Sequence, residues 1–390
     1  MVRRWRRWRR RSVRCGPGGR CPTTSSTNVA TAVKSPCPYA EHALPPITAG
    51  GSSRKAVVDS ALVEDLVRLG HVTCPCGELV LMDGGYLGLW SGDRSPAASE
   101  DRDAVAAVDF EVVGEDADAA ARSFDRQSGR HLYDIPQHAV TDFVATFDEH
   151  CQERGLKALL QRFPVQIAHR DRVRRAVAAG DPDFLITGVP VVPVGNVPTD
   201  TRLSVTASRG RWGWREICIE FTTAPVAHTR RLGSIGVDNA RFVIADADAL
   251  ASWVHEDSLD GLADVAFWGR DEEQIAAEFG AARTATPGDD HYGWLNLPIG
   301  RAHERAIALH KRRGAQPRAM FAFDFRPHSH HWRVMADVRA SENEAATIAI
   351  GGAEIMMAMT SVGDGFFPVN LDLDASGTPV AARITVAKDD

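Results

Sequence analysis

The densest group of side chains able to do chemistry is RPHSHHW at 326–332, where His328, His330 and His331 fall within four positions. It follows MFAFDF, whose alternation sends Phe321, Phe323 and Phe325 toward a core and Asp324 to the opposite face. A helix, WRVMADVRA, then begins. A helix N-terminus disfavours imidazolium, and neutral imidazole is the form that binds metals, so His328, His330 and His331 with Asp324 make a candidate metal site. The alternative is a polar capping turn. In Gly363–Asp364–Gly365 an acid stands on a backbone stripped of neighbouring side chains, as a general base or cation ligand would. Asp364 and the His cluster together give one functional expectation, a metal-assisted hydrolase. The same triplet also suits a tight turn feeding the strand FFPVNLDLD.

Trp212 and Trp214 in RGRWGWRE have the spacing of one strand face, with Arg211 and Arg215 beside them. They could contact a ligand ring or a base, or simply pack a core. DLDASG, from Asp372 to Gly377, opens like a calcium loop. Its twelfth position is Arg383 where a bidentate Glu is required, so a hairpin turn is expected. Cys74 and Cys76, in CPC, lack a second Cys or His pair at zinc-finger spacing. The other cysteines, Cys15, Cys21, Cys37, Cys151 and Cys218, are scattered, which fits a reducing cytoplasm. Phosphate-loop, dinucleotide, serine-hydrolase and zincin signatures are all missing from the sequence, so no reaction and no cofactor is named by it.

The elements that must position these residues follow one order twice. At an offset of 155, residues 83–124 align with 238–279 and seven pairs are identical: Asp83/Asp238, Asp93/Asp248, Asp109/Asp264, Gly114/Gly269, Asp116/Asp271, Ala121/Ala276 and Phe124/Phe279. Each copy has an apolar run ending in Gly, VDFEVVG and ADVAFWG, then a helix with acids in its first turn, DADAAARSF and DEEQIAAEF. A run ending in Pro follows, LYDIP and WLNLP. Next come a helix ending near Arg154–Gly155 or Arg313–Gly314, a strand, a His-bearing turn, another helix, and FLITG or TIAIG. Hairpins close both copies, LSVTAS with WREICIEF and VNLDLD with VAARITV. The expected fold is α+β: two similar lobes of mixed or antiparallel sheet with helices, arising from an internal duplication or from common β-α-β-α grammar. The lobes are expected at 57–200 and 201–390.

Of the 390 residues, the first 56 hold twelve basic residues against Glu41 alone. Residues 57–390 carry 33 basic and 50 acidic ones, so a net charge of −6 sums a tail of +11 and a body of −17. An acidic body repels phosphate backbones and anionic membranes, so affinity for either would come from residues 1–56. Forty Arg against five Lys suggests a GC-rich coding sequence, in which residues 1–56 read as a disordered or mis-annotated extension. No apolar stretch follows the basic start, so an export signal is not expected. No run approaches the roughly 18 apolar residues of a membrane-spanning helix.

The second half resembles the bacterial domain-of-unknown-function 4241 family. VPTDTRLSVTAS, GVDNARFVIADADAL and SVGDGFFPVNLDLDASGTPVAARITV carry the resemblance, which covers roughly residues 195–386 and departs from the family pattern at Asn239 and Val362. It implies an α+β fold and a bacterial source, and supplies no mechanism. Charge and missing motifs together lead to the first functional expectation, a cytoplasmic binding or interaction protein, of inhibitor or immunity type, with a basic protein as partner. Nucleic-acid binding through the Arg/Trp tail is a third.

Overall fold

A computed structural model describes residues 66–98, 106–127, 129–179 and 184–387. The chain divides into Met1–Ala61 and Leu62–Asp390, and the described residues lie in the second unit. The basic tail, with Cys15, Cys21 and Cys37, lies outside the described residues.

The first copy runs β1 (Leu66–Thr73), β2 (Leu79–Asp83), β3 (Ala107–Val113), α1 (Ala117–Ser123), β4 (His131–Pro136), α2 (Val140–Arg154), β5 (Leu159–Arg162), α3 (His169–Ala179), β6 (Phe184–Ile186), β7 (Val189–Val194), β8 (Arg202–Gly210) and β9 (Gly213–Glu220). The second repeats that order. It comprises β10 (His228–Val237), β11 (Arg241–Asp246), β12 (Leu262–Trp268), α4 (Glu272–Phe279), β13 (Ala282–Arg283), β14 (Tyr292–Pro298), α5 (Ile299–Ala315), β15 (Ala322–Pro327), α6 (His330–Ala340), β16 (Ala345–Ile350), β17 (Ala353–Met359), β18 (Gly365–Leu373) and β19 (Pro379–Thr385). The short β13 is the one strand without a counterpart among the described residues.

Two six-stranded antiparallel sheets are shared between the copies, ordered β1-β8-β9-β19-β18-β10 and β16-β17-β11-β2-β7-β6. Each order reads the same from either end once copies are exchanged, which places a pseudo-two-fold axis between β9 and β19 and between β2 and β11. Both large sheets therefore contain strands from either side of the expected lobe boundary at 200/201. The first copy ends with β9 at Glu220, and neither copy closes its own sandwich, because a three-stranded half-sheet leaves an edge that the other copy pairs. The small sheets β4-β3-β5 and β13-β14-β12-β15 stay within one copy each.

Alternation sets the layers. Leu79 and Leu81 of β2 face the other six-stranded sheet with Val205, Ile217, Val369 and Ile384, whereas Val80 and Met82 face Val173 of α3 and Val334 and Val338 of α6. β2 is buried on both faces, as a central strand between sheet and helices must be.

Five of the seven aligned pairs occupy equivalent places. Asp116 and Asp271 each accept an N–H at 2.8 Å, from Lys157 and Met320 respectively. Gly114 (φ 123°) and Gly269 (φ 133°) lie under those same segments, where an added Cβ would stand 2.3 Å from the Lys157 oxygen or 2.7 Å from the Met320 oxygen. Gly114→Ala and Gly269→Ala are each expected to cost about 2–3 kcal/mol, combining left-handed strain with a backbone clash. Shifts in urea midpoint at constant m would measure this. The pairs at Asp83 and Asp93 are corrected. Asp83 corresponds to Asp246, because Ala107 follows Asp83 by 24 positions while Leu262 follows Asp246 by 16. Each of these carboxylates accepts an N–H from its own chain two residues on, Gly85 at 2.6 Å or Asp248 at 2.9 Å.

Candidate functional site

At the start of α3 and α6 the two copies differ in chemistry on one frame. His169 and His330 open the helices, and each Nδ1 accepts a backbone N–H at 3.0 Å, from Ser91 and Val254. Three residues on stand Arg172 and Arg333. Asp109 and Asp264, at matching positions in β3 and β12, each accept the N–H of a residue with positive φ, Asp134 at 2.9 Å and Asn296 at 2.7 Å.

In the first copy this place is closed. Arg172 is fully buried, donating to Asp134 at 2.8 Å, Asp109 at 3.3 Å, and the Ile167 and Leu185 carbonyls at 3.0 and 2.7 Å. Burial works to raise the Asp134 carboxyl, but the Arg172 hydrogen bonds hold it below the usual range. Asp109, farther from the guanidinium, is raised by burial.

In the second copy Arg333 swings to Asp260 (2.8 Å) and Asn296 replaces the second acid, leaving a cavity of about 170 Å³ between β12, β15 and α6. Trp332, Ala336 and Arg339 line it from one helix face, at spacings of four and three. Arg326 and His328 line it from the end of β15, and Asp289 from the loop before β14. Arg326 sits between the indoles of Trp268 (5.9 Å) and Trp332 (5.7 Å). It pairs closely with Asp289 and approaches Asp324 at 3.5 Å. Arg339 shares the same Asp289 at 3.5 Å, and His291 contacts it at 2.7 Å. Burial, then the neighbouring Arg326 charge, pushes the Arg339 pKa down. The Nε–H groups of Arg326 and Arg339 are buried and have no acceptor.

The His cluster does not converge. His328 has Asp260 at 3.0 Å from Nδ1 and Asp264 at 3.2 Å from Nε2. Burial opposes its charge, but the two carboxylates outweigh that and raise its pKa, and both ring nitrogens are committed to them. His330 accepts the Val254 N–H, and His331 is buried with its ring stacked on His255 at 4.3 Å. Asp324 serves Arg326. Asp364 accepts the Ala240 N–H at 2.9 Å and holds a turn before β18, far in the chain from the histidines it was expected to join. The structure does not bring the residues expected for a metal or hydrolase site together: a strand end, a helix start and a hairpin connection aim them at different partners. Asp374 caps the β18–β19 turn through Ser376 and Thr378 N–H groups at 2.8 and 2.9 Å, the hairpin expected there.

Trp212 and Trp214 do not share a face. β9 begins at Gly213 (φ 146°), so Trp212 lies in the turn, 76% exposed under Arg211, while Trp214 is core at 4% and lies under Arg209. Arg326, Arg339 and Asp289 went unnoticed in the sequence. The available signal was the alternation Asp324, Arg326, His328 along one strand, a charged row opposite three Phe.

Comparison with models of known protein families, with curated proteins and with solved structures finds no match to this chain.

Proposed function

We propose that this chain is a binding protein for a small oxyanion, a carboxylate or phosphate held in the second-copy cavity. One observation carries the reading: two guanidinium groups, Arg326 buried and Arg339 half-buried, share the single carboxylate of Asp289, and the buried Nε–H of each lacks an acceptor. An unsatisfied buried donor costs about 1–3 kcal/mol, more when charged, and an incoming oxyanion would recover it. Planar guanidinium matches such oxygens in paired hydrogen bonds. A cavity of about 170 Å³ is below the usual range for drug-sized ligands, so the ligand is small. The same frame in the first copy is filled by Arg172, Asp109 and Asp134, so the second copy is where a ligand would enter. The net charge of −17 on residues 57–390 repels anions at long range, which leaves affinity to these short contacts.

Calorimetric titration with inorganic phosphate and with acetate, against glucose as a neutral control, tests this. Saturable binding of at least one anion is expected, weakened at least about tenfold in Arg339→Met, the loss of one charge-assisted hydrogen bond. Absence of heat with both anions, or wild-type affinity in the variant, would overturn it.

A further inference from the structure

β1 and β2 are joined by Cys74-Pro75-Cys76-Gly77-Glu78, a turn closed by the Gly77 N–H donating to the Cys74 carbonyl at 3.0 Å, with Gly77 at φ 76°. Across from it, at the end of β11 and 170 residues along the chain, Asp246 accepts the Cys76 N–H on Oδ2 at 2.8 Å. Its Oδ1 takes the N–H groups of Asp248 at 2.9 Å and Ala249 at 2.8 Å. Three backbone donors fix the carboxylate as an acceptor, and Oδ2 keeps a lone pair beyond the one used on Cys76. The two Sγ atoms and an Asp246 oxygen all lie within 4.8 Å of one another. Both cysteines are free thiols. Cys74 and Asp246 are buried, and Cys76 is partly exposed.

The other copy shows what this turn needs for structure alone. There Asp83 accepts from the Asp238 N–H at 2.7 Å and the Asn239 amide at 3.0 Å, without sulfur. The carboxylate-to-turn contact is thus common to both copies, and the pair of thiols is what the first adds. The CPC motif by itself offered two ligands at no zinc-finger spacing; the pseudo-two-fold pairing of β2 with β11 supplies the third.

We propose that Cys74, Cys76 and Asp246 bind one zinc(II) ion, with a fourth position taken by water beside the partly exposed Cys76. Two sulfurs and one hard carboxylate oxygen suit a borderline cation, better than copper(I), which favours an all-soft set, or calcium, which favours oxygen alone. Donors around a tetrahedral zinc stand roughly 3.4–3.8 Å apart, given Zn–S near 2.3 Å and Zn–O near 2.0–2.2 Å. Closing from 4.8 Å at most therefore asks for about 1 Å of side-chain movement. Binding forms two Zn–S bonds and one Zn–O bond and releases both thiol protons to solvent, so affinity falls as pH falls.

The full chain, reduced and stripped of metal, is titrated with zinc and, as a spectroscopic probe, with cobalt(II). One ion per chain is expected, with a thiolate-to-cobalt charge-transfer band. Cys76→Ser should lower zinc affinity roughly 100-fold, the loss of one thiolate ligand, while its metal-free melting temperature stays that of the wild type. Cys74→Ala gives the same reading independently, with circular dichroism to confirm that the fold is kept. A wild-type chain that binds no zinc, a cobalt complex without the band, or a Cys76→Ser chain that retains zinc as tightly overturns the site. The last outcome would place the ion elsewhere in the chain. These readouts do not involve the anion cavity.

Discussion

Replacing Arg172 by leucine is expected to destabilise the chain by about 3–5 kcal/mol, while the same change at Arg333, its counterpart, costs less than about 1 kcal/mol. The two arginines occupy one position in two copies of one frame, and burial separates them. Arg172 is 0% exposed, as is the Asp109 side chain, and Asp134 is nearly so. Leucine would leave two carboxylates and two carbonyls facing a volume that water does not reach, and the cost is the desolvation of those orphaned acceptors more than the lost attraction. Asp134 loses the hydrogen bonds that keep it ionised and must take up a proton to stay buried. Arg333, by contrast, is 47% exposed, and its partner Asp260 keeps His328 after the change. Solvent screens what remains. Urea denaturation of both variants at pH 7 decides the matter, and similar losses in the two would mean that the first-copy network is not the closed structural version of the second-copy cavity.

Much of this duplication was legible in the sequence, because order and punctuation survive where identity does not. Gly at the end of β3 and β12, acids at the start of α1 and α4, and Pro at the end of β4 and β14 are local requirements of turn and helix chemistry, and each copy meets them alone. What was hidden lies between the copies. β2 reads as LVLMD, apolar on both faces, so its pattern does not say which strands it pairs with; one is β7 of its own copy and the other is β11 of the second. A gapless offset matched β3 and α1 correctly and misplaced Asp83, since the lengthened connection before Ala107 shifts everything upstream of it. The His cluster misled for a related reason. Residues two apart share a face along a strand, but His328 lies just past the end of β15 and His330 begins α6, and the change of element between them turns the rings apart. The cavity arginines carried a weak signal in the alternation 324, 326, 328. The Cys74, Cys76 and Asp246 group carried none, because its third member is 170 residues distant.

Acid is expected to unfold this chain earlier than its carboxylates alone would allow, through His169. The ring is 2% exposed and lies 5.6 Å from Trp90; its Nδ1 accepts the Ser91 N–H, and the His169 N–H donates to Ser91 Oγ, both at 3.0 Å. An accepting Nδ1 must be unprotonated. Burial, with the nearby Arg172 charge, pushes its pKa down to about 3 from 6.5. Between those values the unfolded chain binds a proton that the folded chain refuses, so stability rises with pH across that window. The contribution is complete above about pH 6.5 and declines as pH falls toward 3, at up to about 1.4 kcal/mol per pH unit. At pH 5 roughly 2 kcal/mol is gone, and the whole effect is of order 5 kcal/mol. His330, also lowered by burial, adds in the same direction. His328 acts in the opposite sense: its raised pKa contributes stability at low pH that is lost as pH rises. A wild-type profile therefore mixes signs, and the difference from His169→Asn isolates the buried ring, since the Asn oxygen can accept the Ser91 N–H without titrating. The variant is expected to be the less stable protein at pH 7.5 and to gain on the wild type by about 2 kcal/mol at pH 5. If chemical denaturation gives the same difference at both pH values, the ring protonates in the folded chain as readily as in the unfolded one, and the buried acceptor role assigned to Nδ1 is wrong.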